Sequence, residues 1–275
     1  IEMKKEHEKR IELITSLIPS KKTHLILYGA NIGNQGSPLS YESACQAIIP
    51  DKFPTESYGI ELGINNSSIY DKEDLFWKLE SQNLVRQFKE KVEILKTHSS
   101  VKSFSVFGLA PQPLLIKLGS LFTDLHDVHV FQRHREPETW SWQEDLNFED
   151  FNIIEPKDFD GLPVLNISLS ATITNDRINK LFDKKICIWT ITHNNPNNDF
   201  LKSKNILSKF RKVCRYFFDI TKVKHGQDNK LQVFPAMPVS AAIEFGRIWM
   251  PKADMNLIIY DQNKERNGFY KTIEI

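Results

Sequence analysis

The segment V-F-G-L-A-P-Q-P-L-L-I-K-L-G runs from Val106 to Gly119, and V-F-P-A-M-P-V-S-A-A-I-E-F-G runs from Val233 to Gly246. A constant offset of 127 residues superimposes them without a gap. It pairs Val106 with Val233, Phe107 with Phe234, Pro111 with Pro238, Ile116 with Ile243, Gly119 with Gly246 and, further on, Asp127 with Asp254. Self-similarity at a long fixed spacing indicates duplicated structure. Each copy reads as the end of a strand, then a proline at the first helical turn, where its missing N–H costs nothing. The glycine that follows lets the helix approach the sheet closely, or caps the helix end. Any single strand–helix unit can carry a proline and a glycine here; two units at identical spacing argue for duplication.

Working outward, hydrophobic periodicity predicts strands over His24–Tyr28, Ser57–Ile64, Val101–Phe107 and Val128–Gln132. Helices are expected over Tyr41–Ile49, from about Asp71 to Lys96, and over Gln112–Phe122. In the long helix, Leu75, Leu79, Leu84, Phe88, Val92 and Leu95 mark the apolar face. Residues 133–161, polar, aromatic and acidic, read as a connector. The pattern then restarts with strands Leu165–Leu169, Lys185–Ile191, Leu231–Phe234 and Met255–Tyr260 and a strand-like end Tyr270–Ile275. Between them lie helices at Asp176–Phe182, Leu201–Ile220 and Ser240–Trp249. Strand, helix, strand in succession implies parallel pairing through right-handed crossovers. The expected fold class is therefore α/β, with two fused Rossmann-like lobes, each a mainly parallel sheet flanked by helices. Residues 1–20 are expected to be a linker or N-terminal helix, 21–150 the first lobe and 151–275 the second.

Composition narrows the function. The 275 residues carry 36 Lys+Arg and 35 Asp+Glu, a net charge of +1. A protein that coats DNA or RNA generally needs a clear basic excess to displace counterions, so that class is set aside; a small anionic ligand needs only local donors. Cys45, Cys187 and Cys214 are too scattered for a disulfide framework or a zinc site, which favours a reducing, cytoplasmic setting. No apolar run approaches the roughly 20 residues of a membrane span. The chain begins at Ile1, which suggests a longer protein with any further domain upstream.

Parallel α/β sheets bind ligands beyond the carboxyl ends of their strands, where loops and helix N-termini converge. Two such lobes side by side would share one composite pocket. That reasoning selects Tyr28, Gly29, Ala30 and Asn31 in the loop Gly29–Asn34 and its approach, and Ala110, Pro111 and Gln112 in Leu109–Pro113. In the second lobe it selects Ser168, Ser170, Ala171 and Thr172 within Ser168–Thr174, and Pro235, Pro238 and Ser240 within Pro235–Ser240.

Three stretches together resemble the SAVED family: Ala110–Gly119, V-F-Q-R-H-R-E-P-E-T-W-S-W at Val130–Trp142, and Val233–Arg247. The resemblance extends from Lys21 to Ile275. It implies two fused CARF-like lobes, in agreement with the repeat. It also implies a sensor of CBASS or type III CRISPR antiphage defence that binds a cyclic oligonucleotide, foremost a cyclic trinucleotide, made by a partner synthase. Head-to-tail homo-oligomerisation on binding would then activate a fused or associated effector domain, whose signatures this chain lacks. The resemblance leaves open a ring nuclease that degrades the messenger. No cofactor, no metal and no catalytic residue in this chain are expected.

Individual residues keep two readings. Asn31, between Gly29 and Gly33, suits a phosphate or base edge, or simply forms a turn. Arg133 and Arg135 suit bidentate phosphate binding, or an ion-pair network with Glu136, Glu138, Glu144 or Asp145. Trp140 and Trp142 suit adenine stacking, or pin the connector to the core. Ser168, Ser170 and Thr172 can donate to a ligand or form a solvated edge. His193, in T-H-N-N-P-N-N, lacks carboxylate or cysteine neighbours at metal-ligand spacing and reads as a loop histidine. Cys187 and Cys214 fall in core-facing patterns. The basic run Lys202–Arg215 is a solvated face, or meets an acidic surface such as Glu144–Asp150 of a neighbouring protomer. A Rossmann-type nucleotide enzyme is disfavoured, because G-A-N-I-G-N stands where a GxGxxG turn would be.

Overall fold

The computed structural model describes residue 5, residues 21–32, 39–64, 69–123, 126–144 and 148–275, without the side chain of Lys96. The expected N-terminal helix or linker, Gly33 and Asn34 of the first loop, and Asp145 lie outside the described residues.

The first sheet is parallel throughout. Its strands are β1 (Lys22–Gly29), β2 (Phe53–Pro54), β3 (Ile60–Leu62), β4 (Ser103–Leu109) and β5 (Asp127–Val130). Strand β1 pairs with β4, β4 pairs with β5, and both β2 and β3 pair with β1. The second sheet has the order β11-β10-β9-β7-β8-β6. Its strands are β6 (Asn152–Ile154), β7 (Leu162–Ser168), β8 (Ile186–Thr192), β9 (Lys230–Ala236), β10 (Asn256–Asn263) and β11 (Gly268–Glu274). The inner four are parallel, and β6 and β11 close the edges antiparallel. Strands β4 and β7 are almost wholly buried, as sheets covered on both faces require.

The helices are α1 (Tyr41–Ile48), α2 (Asp74–Phe88), α3 (Ile94–His98), α4 (Gln112–Leu121), α5 (Asn175–Asn179), α6 (Lys204–His225) and α7 (Val239–Ile248). Both lobes share one topology: β1, β4, β5 and α4 correspond to β7, β9, β10 and α7. Helices α4 and α7 cross each other between the sheets, and one hydrophobic core runs through them from Ile26, Val106 and Leu115 to Leu165, Val233 and Ile243.

The repeat glycines make that crossing. A Cβ on Gly119 would stand 1.9 Å from the carbonyl oxygen of Ile243, and one on Gly246 would stand 2.0 Å from that of Ile116. The contacts are reciprocal, because Ile116 and Ile243 are themselves repeat partners. The role expected of these glycines is thus corrected: they bring helix against helix across the lobes, rather than helix against its own sheet.

Three further expectations change. The buried face of α2 is Phe76, Trp77, Glu80, Leu84 and Phe88, while Leu75 and Leu79 are exposed. Steps of three and four residues from Trp77 fall on one side of a helix, and the two leucines lie off that stripe. The helix then continues through a π-helical turn at Lys89–Glu93. The connector contains β6, which covers the edge of β8 at Asn152–Ile154. The strand expected over 57–64 is paired only at Ile60–Leu62.

A second seam joins the lobes. Tyr270 on β11 donates its hydroxyl to the Asp71 carbonyl at 2.6 Å and accepts from Trp77 Nε1 at 2.9 Å.

Candidate functional site

In the first lobe, Gly29 at the end of β1 lies across the ladder from Leu109 at the end of β4. The Ala30 N–H donates to the Leu109 carbonyl at 3.3 Å, extending the pairing past the strand. Ala110 and Pro111 are buried and lead into α4; Gly29, Asn31 and Gln112 are half-buried. The second lobe repeats this arrangement. Ser168 at the end of β7 faces Ala236 at the end of β9, and the Leu169 and Ser170 N–H groups both donate to the Ala236 carbonyl, at 2.9 and 2.8 Å. Ser170 is half-buried, Ala171 and Thr172 are exposed, and Pro235 and Pro238 are buried.

Two amides tie the lobes' turns together. Gln112 Oε1 accepts the Met237 N–H at 3.1 Å. Gln132 Oε1 accepts both the N–H and the hydroxyl of buried Ser240, at 3.2 and 2.8 Å, while its own amide donates to the Arg133 carbonyl at 2.7 Å. The turns at Gly29–Asn31, Leu109–Gln112, Ser168–Thr172 and Ala236–Ser240 are therefore joined in pairs within each sheet and bridged between sheets. Helices α4 and α7 both start there, behind Pro111 and Pro238, which cannot cap them with their own side chains, and Gln132 takes one of the first N–H groups of α7. Their N-terminal dipole ends make the region locally positive.

The remaining candidates have assigned neighbours. Trp140 is buried edge-on against Phe107, with ring centroids 5.3 Å apart, and Arg133 lies over its ring while ion-paired to Glu138. Trp140 thus packs the connector against the core, and Arg133 takes part in an ion pair with Glu138. Arg135 is exposed, and Trp142 is half-buried beside His134. The Ser168 hydroxyl donates to Asn166 Oδ1 at 2.8 Å and accepts from the Ile173 N–H at 2.9 Å, which shapes the turn from inside. Tyr28 is buried beneath the first turn; its hydroxyl has no hydrogen-bond partner among the described residues, and burial and nearby Glu80 raise its pKa well above the usual value. Glu80 is itself buried, and burial pushes its carboxyl up to about 7. Gln132, Asn166 and Glu80 escaped the sequence reading: Gln132 follows the end of β5, Asn166 is a lone polar residue in β7, and Glu80 stands among the other polar residues of α2, so none forms a pattern.

His193 donates from Nε2 to the Leu169 carbonyl at 3.1 Å, and burial lowers its pKa. It braces the second-lobe turn. No group of three metal-binding side chains occurs among the described residues, and none of their helices is long and apolar enough to cross a membrane. Cys187 and Cys214 are buried, and burial raises both thiols.

Against known families, the match falls on residues 84–275, to the model of the SMODS-associated and fused to various effectors sensor domain. The chain belongs to the SAVED family. The structure is similar to that of the Acinetobacter baumannii Cap4 SAVED/CARF-domain containing receptor with the cyclic trinucleotide 2'3'3'-cAAA, at 13% identity and a TM-score of 0.58. The alignment covers 92% of this SAVED chain and 51% of the receptor. With 3'3'3'-cAAA the receptor aligns at 10% identity and a TM-score of 0.59, covering 92% and 51%. The chain thus spans about half the length of these receptors, and at such identity the likeness is one of fold. No curated protein sequence matches the chain.

Proposed function

We propose that this SAVED chain is the sensor part of an antiphage system and binds a cyclic oligonucleotide, foremost a cyclic trinucleotide, at the bridged strand ends. Residues 21–150 and 151–275 would act as two CARF-like lobes of one domain. The observation that carries the reading is the pairing of two equivalent strand–helix turns through Gln112 and Gln132, in a chain whose fold is shared with receptors solved with cyclic trinucleotides. Gly29, Ala30, Asn31, Ala110, Pro111 and Gln112 would supply backbone and amide contacts from one side. Ser170, Ala171, Thr172 and Pro235–Ser240 would supply them from the other, with two helix N-termini favouring phosphate. Tyr28 and Ser168 would support these turns from within, and Arg133, Arg135 and Trp140 would border the site.

In this reading the messenger comes from a partner synthase in the cytoplasm. Binding drives head-to-tail association of copies, which activates an effector domain fused to or associated with the chain. Thermal unfolding with cyclic di-, tri- and tetranucleotides tests the proposal. A ligand at a hundredfold excess over its Kd adds about 2.7 kcal/mol, which raises Tm by roughly 5–10 °C in a chain of this size. Light scattering of the same samples reads association. Absence of a shift with every ring at saturating concentration would overturn the reading.

A further inference from the structure

A groove of about 870 Å³ opens at the far ends of α4 and α7, where Arg211, Lys212 and Arg215 of α6 meet Arg247 and Lys252. Both helices run from the strand-end turns to this groove, so it lies at the opposite pole, one ten-residue helix away. Arg215 is held by buried Asp254 at 2.6 and 2.9 Å and by Asp219 at 3.0 Å. Lys212 and Lys252 also line the groove and form no ion pair among the described residues.

Among the described residues, the carboxylate lining the groove is Glu244, whose side chain is only 3% exposed. Its Oε1 holds Arg247 at 2.7 Å, whereas its Oε2 has no hydrogen-bond partner among the described residues and stands 3.6 Å from Arg211 Nε. A buried acceptor with an open valence calls for a donor. Phe122 and Trp249 add apolar wall, and Trp249 is fixed by its indole N–H donating to the Met255 carbonyl at 2.9 Å.

Cations for phosphate, a buried acceptor for an N–H or O–H donor, and an aromatic wall in one cavity of ligand size define a chemical class. We infer that this groove is a second binding site, for a nucleoside phosphate, distinct from the strand-end site. The phosphates lie between Lys212, Lys252 and Arg211, and a base or ribose donor reaches Glu244 Oε2.

Calorimetric titration of the whole chain with ATP, with inorganic tripolyphosphate and with adenosine tests this. The expected result is saturable ATP binding that K212E/K252E weakens by about tenfold or more, with circular dichroism of that variant unchanged. Thr172→Glu, at the exposed strand-end turn, leaves ATP affinity unaltered, which separates this site from the one above. Tripolyphosphate and adenosine each bind at least about tenfold more weakly than ATP, since each lacks one half of the recognition. The inference is overturned by absence of saturable ATP binding at millimolar concentration, by an unchanged K212E/K252E, by loss of ATP binding in Thr172→Glu, or by tripolyphosphate matching ATP.

Discussion

Replacing Gly119 with alanine is the most direct perturbation of the lobe–lobe seam. The new methyl carbon would meet the Ile243 carbonyl oxygen at 1.9 Å, its carbon at 2.9 Å and the Arg247 nitrogen at 3.0 Å, all of them backbone atoms. Ordinary contact begins at 3.4 Å, so α4 and α7 must part by about 1.5 Å. Overpacking a filled core costs about 1–3 kcal/mol, and a rigid backbone obstacle puts this site at or above the upper end. Alanine returns about 1 kcal/mol of helix propensity. The expected net loss is about 2 kcal/mol, or roughly 4–8 °C in Tm at this chain length. Calorimetry of G119A, G246A and the double variant checks both the size and its origin. One parting of the helices relieves both clashes, so the second alanine should cost less than the first and the double variant should be less destabilised than the sum of the singles. A neutral or stabilised G119A, or strictly additive losses, would refute the argument.

Other perturbations address single groups. Gln132→Ala leaves two buried donors of Ser240 without their acceptor; a loss of about 2 kcal/mol or more is expected in urea unfolding. Arg215→Ala strips buried Asp254 of its bidentate partner, and chemical denaturation should register a cost of about 3–5 kcal/mol, which Asp254→Asn in the same background partly restores. Glu80 and Asp261 are both raised to about 7, Glu80 by burial and Asp261 by burial and then Asp71. A carboxyl whose folded pKa is raised binds its proton more tightly in the folded state, so stability falls as pH rises from about 4 through 7. Glu80→Gln should flatten part of that decline and gain most over the native chain above pH 7; an unaltered pH profile of Tm would contradict the assignment.

The fold was legible where local pattern and long-range structure coincide. The 127-residue offset spans one contiguous strand–helix–strand unit in each lobe, in which proline, glycine and apolar positions are all set by packing. The equivalence of β1 with β7 was not visible, because the segments joining them to β4 and β9 differ in length and break the constant offset. Glycine's purpose was misread for a similar reason: the sequence reveals that no side chain fits at Gly119, while what occupies the space is a tertiary fact. The α2 face was misread because Leu75 and Leu79 outweigh Glu80 on any hydrophobicity count, yet helical geometry buries Glu80. The strand-end turns that the sequence selects do lie together, bridged by Gln112 and Gln132. Asn166, Gln132 and His193, which shape these turns through side-chain hydrogen bonds, each carry a signal one residue long.

The duplication is also incomplete in a way that bears on the proposed ligand. The offset places Val239 opposite Gln112 and Ile259 opposite Gln132, so both bridging amides come from the first lobe and have apolar counterparts in the second. A dimer of identical lobes would present each polar bridge twice, and a two-fold ring could satisfy both copies. Here the backbone of the crossing is symmetric, through Gly119 and Gly246, while its hydrogen-bonding groups are not. A fused chain can let one half specialise as acceptor and the other as donor, and a ring without two-fold symmetry gains from such a seam what an even ring cannot. The proposed function then predicts that affinity favours a cyclic trinucleotide over a cyclic tetranucleotide and shifts toward even rings in Val239→Gln; calorimetric titration with both rings checks it, and an unchanged preference in the variant would refute the argument.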